Sequence, residues 1–278
     1  VYALQDEVHE AQAREQVARG EFSDLCQDPS ALQHRLVLLN EKLAKRLTGI
    51  SNGTIKTVKE YLSTPGSRDV YGVQEAEGMR RFSQLQLQDD TLLLHALQFH
   101  DPPATATILP LCPLQLLILS PEPKVFFRLA YKGHSLGTVT IALTGAPCRM
   151  QQMLELCSAS ISHSWKGATF DRVRDKGRPG ERIACAEYIM QDGGRSRNAV
   201  LTGLEPSTEC GPMRTGRVYG WWGDEAGFII CTRESIASYS CPLLGYVVQG
   251  LPVLHMAIEN YDISQIAIAE VGLVVEIE

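Results

Sequence analysis

The sequence predicts two halves of different class: a helical one over residues 1–100 and an all-β one over residues 124–278, joined by residues 101–123. Three observations carry this. In the first half apolar residues recur at three- and four-residue steps, the period of a helix face. After Lys124 they recur at every second position, the period of a strand. Between the two, "DPPATATILPLCPLQLLILSPEP" holds six prolines within residues 101–123, a composition that favours stiff, extended backbone.

In the helical half, Val1, Leu4, Val8, Ala11, Ala18, Phe22 and Leu25 form a seam broken at Glu15. Asp28-Pro29-Ser30 interrupts it, and Ser30 is placed to cap a new helix. The seam resumes as Leu32, Leu36, Leu39, Leu43 and Leu47, the spacing of a coiled coil. Asn52-Gly53 ends that helix by tolerating positive φ. A short helix over "TIKTVKEYLS" follows, and two more are expected over residues 69–88 and 90–99. The leucine seam suits either an intramolecular bundle or a homo-oligomer formed through residues 1–63, and self-association is the expectation retained.

In the second half, "VFFRLAYKGHSLGTVTIAL" (125–143) reads as strand, turn, strand, and "CRMQQMLELCSAS" as a helix. Short strands with glycine-rich connections then continue to "EVGLVVEI" (270–277). Many strands and few helices in a stretch of this length predict a closed barrel or sandwich.

Bulk composition narrows the function classes. With 278 residues, 44% of them hydrophobic and a net charge of -6, the chain suits a folded protein with no general affinity for nucleic acid or anionic membrane. No apolar run reaches the roughly 18 residues needed to cross a bilayer. The chain opens on Val1, not Met, and is read as a piece of a longer protein, so missing targeting signals carry no weight. Its eight cysteines show no CxxC pair and no histidine at ligand spacing, so neither a metal site nor a cofactor is expected. Several lie in apolar runs ("LELCSA", "GFIICT"), where a reduced thiol packs as a small hydrophobe, and an intracellular protein is expected.

The second half also carries a resemblance. In order, "VFFRLAYKGHSLGTVTIAL", "MQQMLELCSAS", "WKGATFDRV", "GPMRTGRVYGWW", "GFIICTRES", "LLGYVVQGLPVLHMAI" and "GLVVEI" resemble the successive segments of a cyclophilin, the prolyl-isomerase family. The resemblance implies an eight-stranded antiparallel β-barrel capped by two helices. It also implies a groove that seats a proline in an apolar pocket of aromatic side chains and a methionine. There an arginine donates to the amide and so lowers the roughly 18–20 kcal/mol barrier of the X–Pro bond.

This chain departs from that pattern at most of the groove. Arg172, in "FDRV", matches the catalytic arginine. Where the family has Phe-Met-x-Gln-Gly-Gly, the chain reads "IACAEY", with Ile183 and Ala184 in place of the aromatic and the methionine, and Ala186 in place of the glutamine. Trp221 and Trp222 stand where small residues and an asparagine flank the substrate. Ile229 replaces the phenylalanine of the pocket floor, and the last loop's tryptophan and histidine fall near Ala237 and Cys241. A segment of about four residues within "DKGRPGE" is inserted before "IACAEY". Losing an orienting donor alone costs about 3 kcal/mol of transition-state stabilisation, so a catalytically degenerate domain is expected, with no catalytic residue.

The changed groove has features that binding would use. Residues 172–197 hold seven Arg/Lys against four Asp/Glu, which is a solvated face or a rim for an acidic or phosphorylated partner. Two adjacent tryptophans on a strand cannot face the same way, so one packs inward while the other stays partly exposed. The expected function is therefore a protein-binding adaptor whose partner is a protein or peptide. A helical coil before a cyclophilin-like domain also resembles tripartite-motif ubiquitin ligases with a C-terminal cyclophilin, which implies a substrate-recognition role. The alternative is a divergent but active prolyl isomerase using Arg172.

Overall fold

The computed structural model describes residues 69–110 (except 77 and 89–90), 122–159, 163–204 and 211–276, together with residues 58, 60, 62 and 63. The chain divides into two compact units, Val1–Asn52 and Gly53–Glu278. The leucine seam of Leu32, Leu36, Leu39, Leu43 and Leu47 lies outside the described residues, and so do residues 111–121 of the proline-rich segment.

The largest correction concerns residues 69–99, which are strands and not helices. β1 (Val70–Ala76), β2 (Met79–Gln88) and β3 (Thr91–His95) form an antiparallel meander. Its sequence basis is "FSQLQLQ", in which Leu85 and Leu87 alternate with glutamines. A helix would scatter these leucines around its circumference, whereas a strand puts them on one face. Gly78, at φ 76°, makes the first turn in a conformation other residues adopt at a cost. The proline-rich stretch also contributes a strand, β4 (Thr107–Pro110), paired in parallel with β1.

The hairpin predicted over 125–143 is present as β5 (Lys124–Tyr131) and β6 (His134–Leu143). Its turn, Lys132-Gly133, has positive φ at both residues, the geometry that matches the twist of the flanking strands. Helix α1 (Pro147–Ser158) opens on proline and stops where Ala159 turns left-handed at φ 56°. There follow β7 (Arg172–Arg174), β8 (Arg182–Cys185), β9 (Tyr188–Ile189), β10 (Arg195–Ser196), β11 (Gly211–Met213), β12 (Arg217–Gly220), β13 (Phe228–Cys231), β14 (Ser235–Tyr239) and β15 (Leu243–Gln249). Helix α2 (Leu251–Asn260) leads to β16 (Ile266–Glu276). These two helices are the expected ones.

Twelve strands form one sheet in the order β4-β1-β2-β3-β16-β5-β6-β15-β12-β13-β8-β7. The expected closed barrel of eight strands is replaced by this larger, open sheet. β16 is the reason at one end: its eleven residues pair with β5 along most of their length and also with β3 over Gly272–Glu276. At the other end, the backbone before β7 does reach β16, through Gly167 N–H to the Ile268 carbonyl at 2.8 Å and Phe170 N–H to the Ile266 carbonyl at 3.3 Å. At Asp171 the pairing passes to Ala184 of β8, so no continuous ladder joins β7 to β16.

The core lies where α1, α2 and this sheet meet. Trp165, Phe126, Phe127, Phe170 and Phe228 are its largest fully buried side chains. Trp165 and Phe228 meet edge-on at 5.0 Å, while Phe127 stacks on Phe228 at 5.4 Å. Among the described residues no helix is long and apolar enough to cross a membrane.

Candidate functional site

Arg172 stands on β7, the last strand of the sheet, exposed and in register with Ala184. Alternation along β8 then separates two of the expected groove residues. Ile183 points into the main core and is fully buried, so it lines no groove. Ala184 points the other way, into a small apolar cluster with Met213, Tyr219, Ile229, Cys231 and Cys241. Ile229 of β13 sits opposite Ala184 in the ladder. Ala186 is buried just past β8, where a Cβ on Gly227 would come within 3.1 Å of its Cα. Ala237 is exposed on β14.

Ala184, Ile229 and Cys241 floor a shallow notch walled by Arg174 and Arg182 on one side and by Trp221 and Trp222 on the other. Its solvent space is about 20 Å³, little more than the roughly 10–15 Å³ that one water needs. Arg174 and Arg182 were missed in the sequence because nothing in a basic run marks which members turn toward a cavity.

The tryptophans divide as expected, one inward and one outward, although both lie just past the end of β12 and not on a strand. Trp221 is half-buried against the small cluster, and Trp222 is 55% exposed. Both are held in place. Trp221 N–H donates to the Gly227 carbonyl at 2.8 Å, and the Trp222 indole N–H donates to the Ser240 carbonyl at 2.6 Å. Beneath them Arg149 of α1, itself buried, donates to the carbonyls of Trp221 and Gly223 at 2.9 and 3.0 Å. That arginine had a sequence signal. It lies on the stripe Arg149, Gln152, Met153, Leu156, the i, i+3, i+4, i+7 positions of the buried face. A charge on that stripe needs acceptors to be tolerated there.

The inserted loop between β7 and β8 is also built, not slack. Glu181 is buried and accepts from the Gly177 amide at 2.7 Å, the Thr232 hydroxyl at 2.9 Å and Arg233 Nε at 3.3 Å. Burial pushes its carboxyl upward, but the Gly177 amide, Thr232 and Arg233 outweigh that and hold it below the usual carboxylate range. Asp175 pairs with Arg182 at 2.5 Å across the loop's mouth. A carboxyl with a lowered folded pKa stabilises the fold above its unfolded value, about 4.3 for Glu, and loses that contribution as pH falls through the folded value. Melting temperatures of the wild type and Glu181→Gln should therefore differ at pH 7 and draw together as pH falls from about 4.3 through the folded value. A constant gap across that range would show that the charge of Glu181 contributes nothing.

Other chemistry is sparse. Burial pushes the Cys157 and Cys185 thiols well up and raises Cys231 to about 11, so none of them is a ready nucleophile at neutral pH. Among the described residues no three His, Cys, Asp or Glu side chains are grouped to hold a metal ion. A larger concavity of about 340 Å³ lies elsewhere on the sheet, lined by Lys124, Thr138, Thr140, Gln249 and Val274 among others. It escapes sequence reading because its walls come from six strands spread between residues 88 and 274.

No protein-family model and no curated protein matches the chain. Among solved structures, the chain is similar to that of the mimivirus cyclophilin at a TM-score of 0.39 and 14% sequence identity, covering 55% of this chain and 89% of that one.

Proposed function

We propose that residues 124–278 form a cyclophilin-like domain that has given up prolyl isomerisation and serves as a protein-binding module. The order of hairpin, helix, short strands, second helix and closing strand follows the layout that the sequence resemblance implies. The observation that carries the reading is the size of the notch beside Arg174. With Ala184, Ile229 and Cys241 as its floor and about 20 Å³ of space, it has room for a water and not for a proline ring. Arg172 is exposed beside it, with no glutamine at Ala186 to hold the flanking peptide. What remains is a surface of two indoles, that of Trp222 fixed by its hydrogen bond, and guanidinium groups, the residue types that dominate protein-binding hot spots.

A protease-coupled assay on X–Pro peptides tests the catalytic half of this. The expected result is no acceleration above the uncatalysed rate. Turnover that disappears in Arg172→Ala would overturn the reading and establish an active isomerase. The same proposal has the chain self-associating through residues 1–63 and acting as the substrate-recognition part of a ubiquitin ligase. Sedimentation that finds only monomer at micromolar concentration removes the first of these. A protein lacking a RING domain upstream of this segment removes the second.

A further inference from the structure

We infer that the segment this module captures is acidic at one end and apolar at the other, and that it lies extended along β14. The inference rests on the protein-binding reading above and names the partner's chemistry. β14 connects the two charged and apolar features of the face. At its start, Gly180 of the inserted loop donates to the carbonyls of Arg233 and Glu234 at 3.2 Å, and a Cβ on Gly180 would lie 3.4 Å from that of Ser235. Past its end, Ser240 accepts from the Trp222 indole. Between them Ile236 is fully exposed. The strand's five residues span about 17 Å at roughly 3.4 Å each, the reach of a short extended peptide.

The basic end stays positive because two of its acids are already engaged and a third, the exposed Glu234, offsets only one of its charges. Asp175 is engaged by Arg182, and Glu181 is buried with Arg233. Arg174, Lys176 and Arg178 are exposed and meet no carboxylate among the described residues. Asp171 lies near Arg172 and offsets that charge, so the attraction centres on residues 174–178. The loop is rigid, since its glycine amides and carboxylates are bonded into the fold, and little order has to be imposed on it at binding. At the other end the indole of Trp222, fixed by its hydrogen bond to Ser240, offers an apolar anchor, while exposed Ile236 lies between it and the basic loop. A glutamate-bearing segment answers this layout. Arginine at the end of a sheet can also serve only to deter edge-to-edge pairing, and that role predicts no ligand.

The test is fluorescence anisotropy with the whole chain and a labelled peptide in which a run of glutamates precedes alternating leucine and serine. The expected result is saturable binding that weakens about tenfold in Arg174→Glu and in Trp222→Ala. The first leaves the melting temperature unchanged, because that side chain is exposed. In the second, losing the indole bond to Ser240 lowers the melting temperature slightly but leaves the chain folded at the assay temperature. Binding should also weaken with salt, as interactions between exposed charges do. Equal binding of a peptide with glutamines in place of the glutamates overturns the acidic half while leaving the protein-binding reading intact. Capture of a phosphoserine version only, or no binding of any peptide, overturns the inference altogether. Isomerase turnover would strike the proposed function and not this result.

Discussion

Trp165→Ala is expected to cost about 3–5 kcal/mol, a large part of the stability of an ordinary domain. Trp165 is fully buried, meets Phe228 edge-on at 5.0 Å and Tyr188 at 6.1 Å, and lies just after α1 in the chain. Its backbone N–H donates to the Leu156 carbonyl at 3.2 Å, which ties the chain back to α1 before it runs on to β16 and β7. Removing it leaves a cavity that Phe127, Phe170 and Phe228 can fill only by abandoning their mutual packing. Trp165→Phe makes the informative contrast. The indole N–H is buried without an acceptor among the described residues, so phenylalanine loses contact area but also removes an unsatisfied donor. Chemical denaturation should therefore rank the alanine variant far below the phenylalanine one. Equal losses would mean that the site collapses around either residue and that Trp165 does not organise the core.

How far the sequence reveals this fold depends on which signal dominates locally. The β5–β6 hairpin, α1 and α2 are legible because period, turn chemistry and capping agree: Lys132-Gly133 between alternating apolar runs, proline opening each helix, Gly250 left-handed before α2. Residues 69–99 are misread for a physical reason. Glutamine and leucine, which fill "SQLQLQ", favour helix by intrinsic propensity, and only their strict alternation marks a strand. Here pairing with neighbouring strands wins over propensity, because the alternating leucines can be buried only in a sheet. The open sheet was equally hidden. A strand that pairs on both sides over only part of its length, as β16 does with β3, leaves no local mark.

The candidate site is legible in part. Ala184, Trp221, Trp222, Ile229 and Cys241 were named from sequence and do meet at one notch. Ile183 does not, since it is one residue from Ala184 and a strand turns neighbours to opposite faces. Ala237 stands apart, exposed on β14. The loop "DKGRPGE" reads as a solvated charged run in sequence. Its two carboxylates are instead engaged, Asp175 at the surface by Arg182 and Glu181 inside the fold by Gly177, Thr232 and Arg233, which leaves the remaining charge positive. Composition cannot distinguish a neutralised acid from a free one.

The second large effect should follow from Gly272→Val, and it tests whether β1–β3 belong to the sheet as described. Gly272 lies in β16 between His95 of β3 and Phe126 of β5. A Cβ there would fall 2.0 Å from the Leu94 carbonyl oxygen and 2.8 Å from the Phe126 ring. The first contact is with backbone, which cannot rotate away, so either β3 leaves β16 or the ladder shifts. Overpacking of this kind costs about 1–3 kcal/mol and more where backbone must move. The loss should be local in its first stage, because other links hold the end of β3 and the segment after it: Ala96 N–H to the Val271 carbonyl of β16 at 2.8 Å, Leu97 N–H to the Ser158 carbonyl of α1 at 2.9 Å, and His95 to Glu270 at 3.2 Å. Hydrogen exchange should then show lost protection at Leu92 and Leu94, with the β5–β6 and β6–β15 amides kept. Protection lost uniformly would mean that the strands before residue 99 are not a separable layer but part of one cooperative unit. Protection unchanged would mean that β3 does not pack on β16 at Gly272, and the twelve-stranded order would fail at that junction.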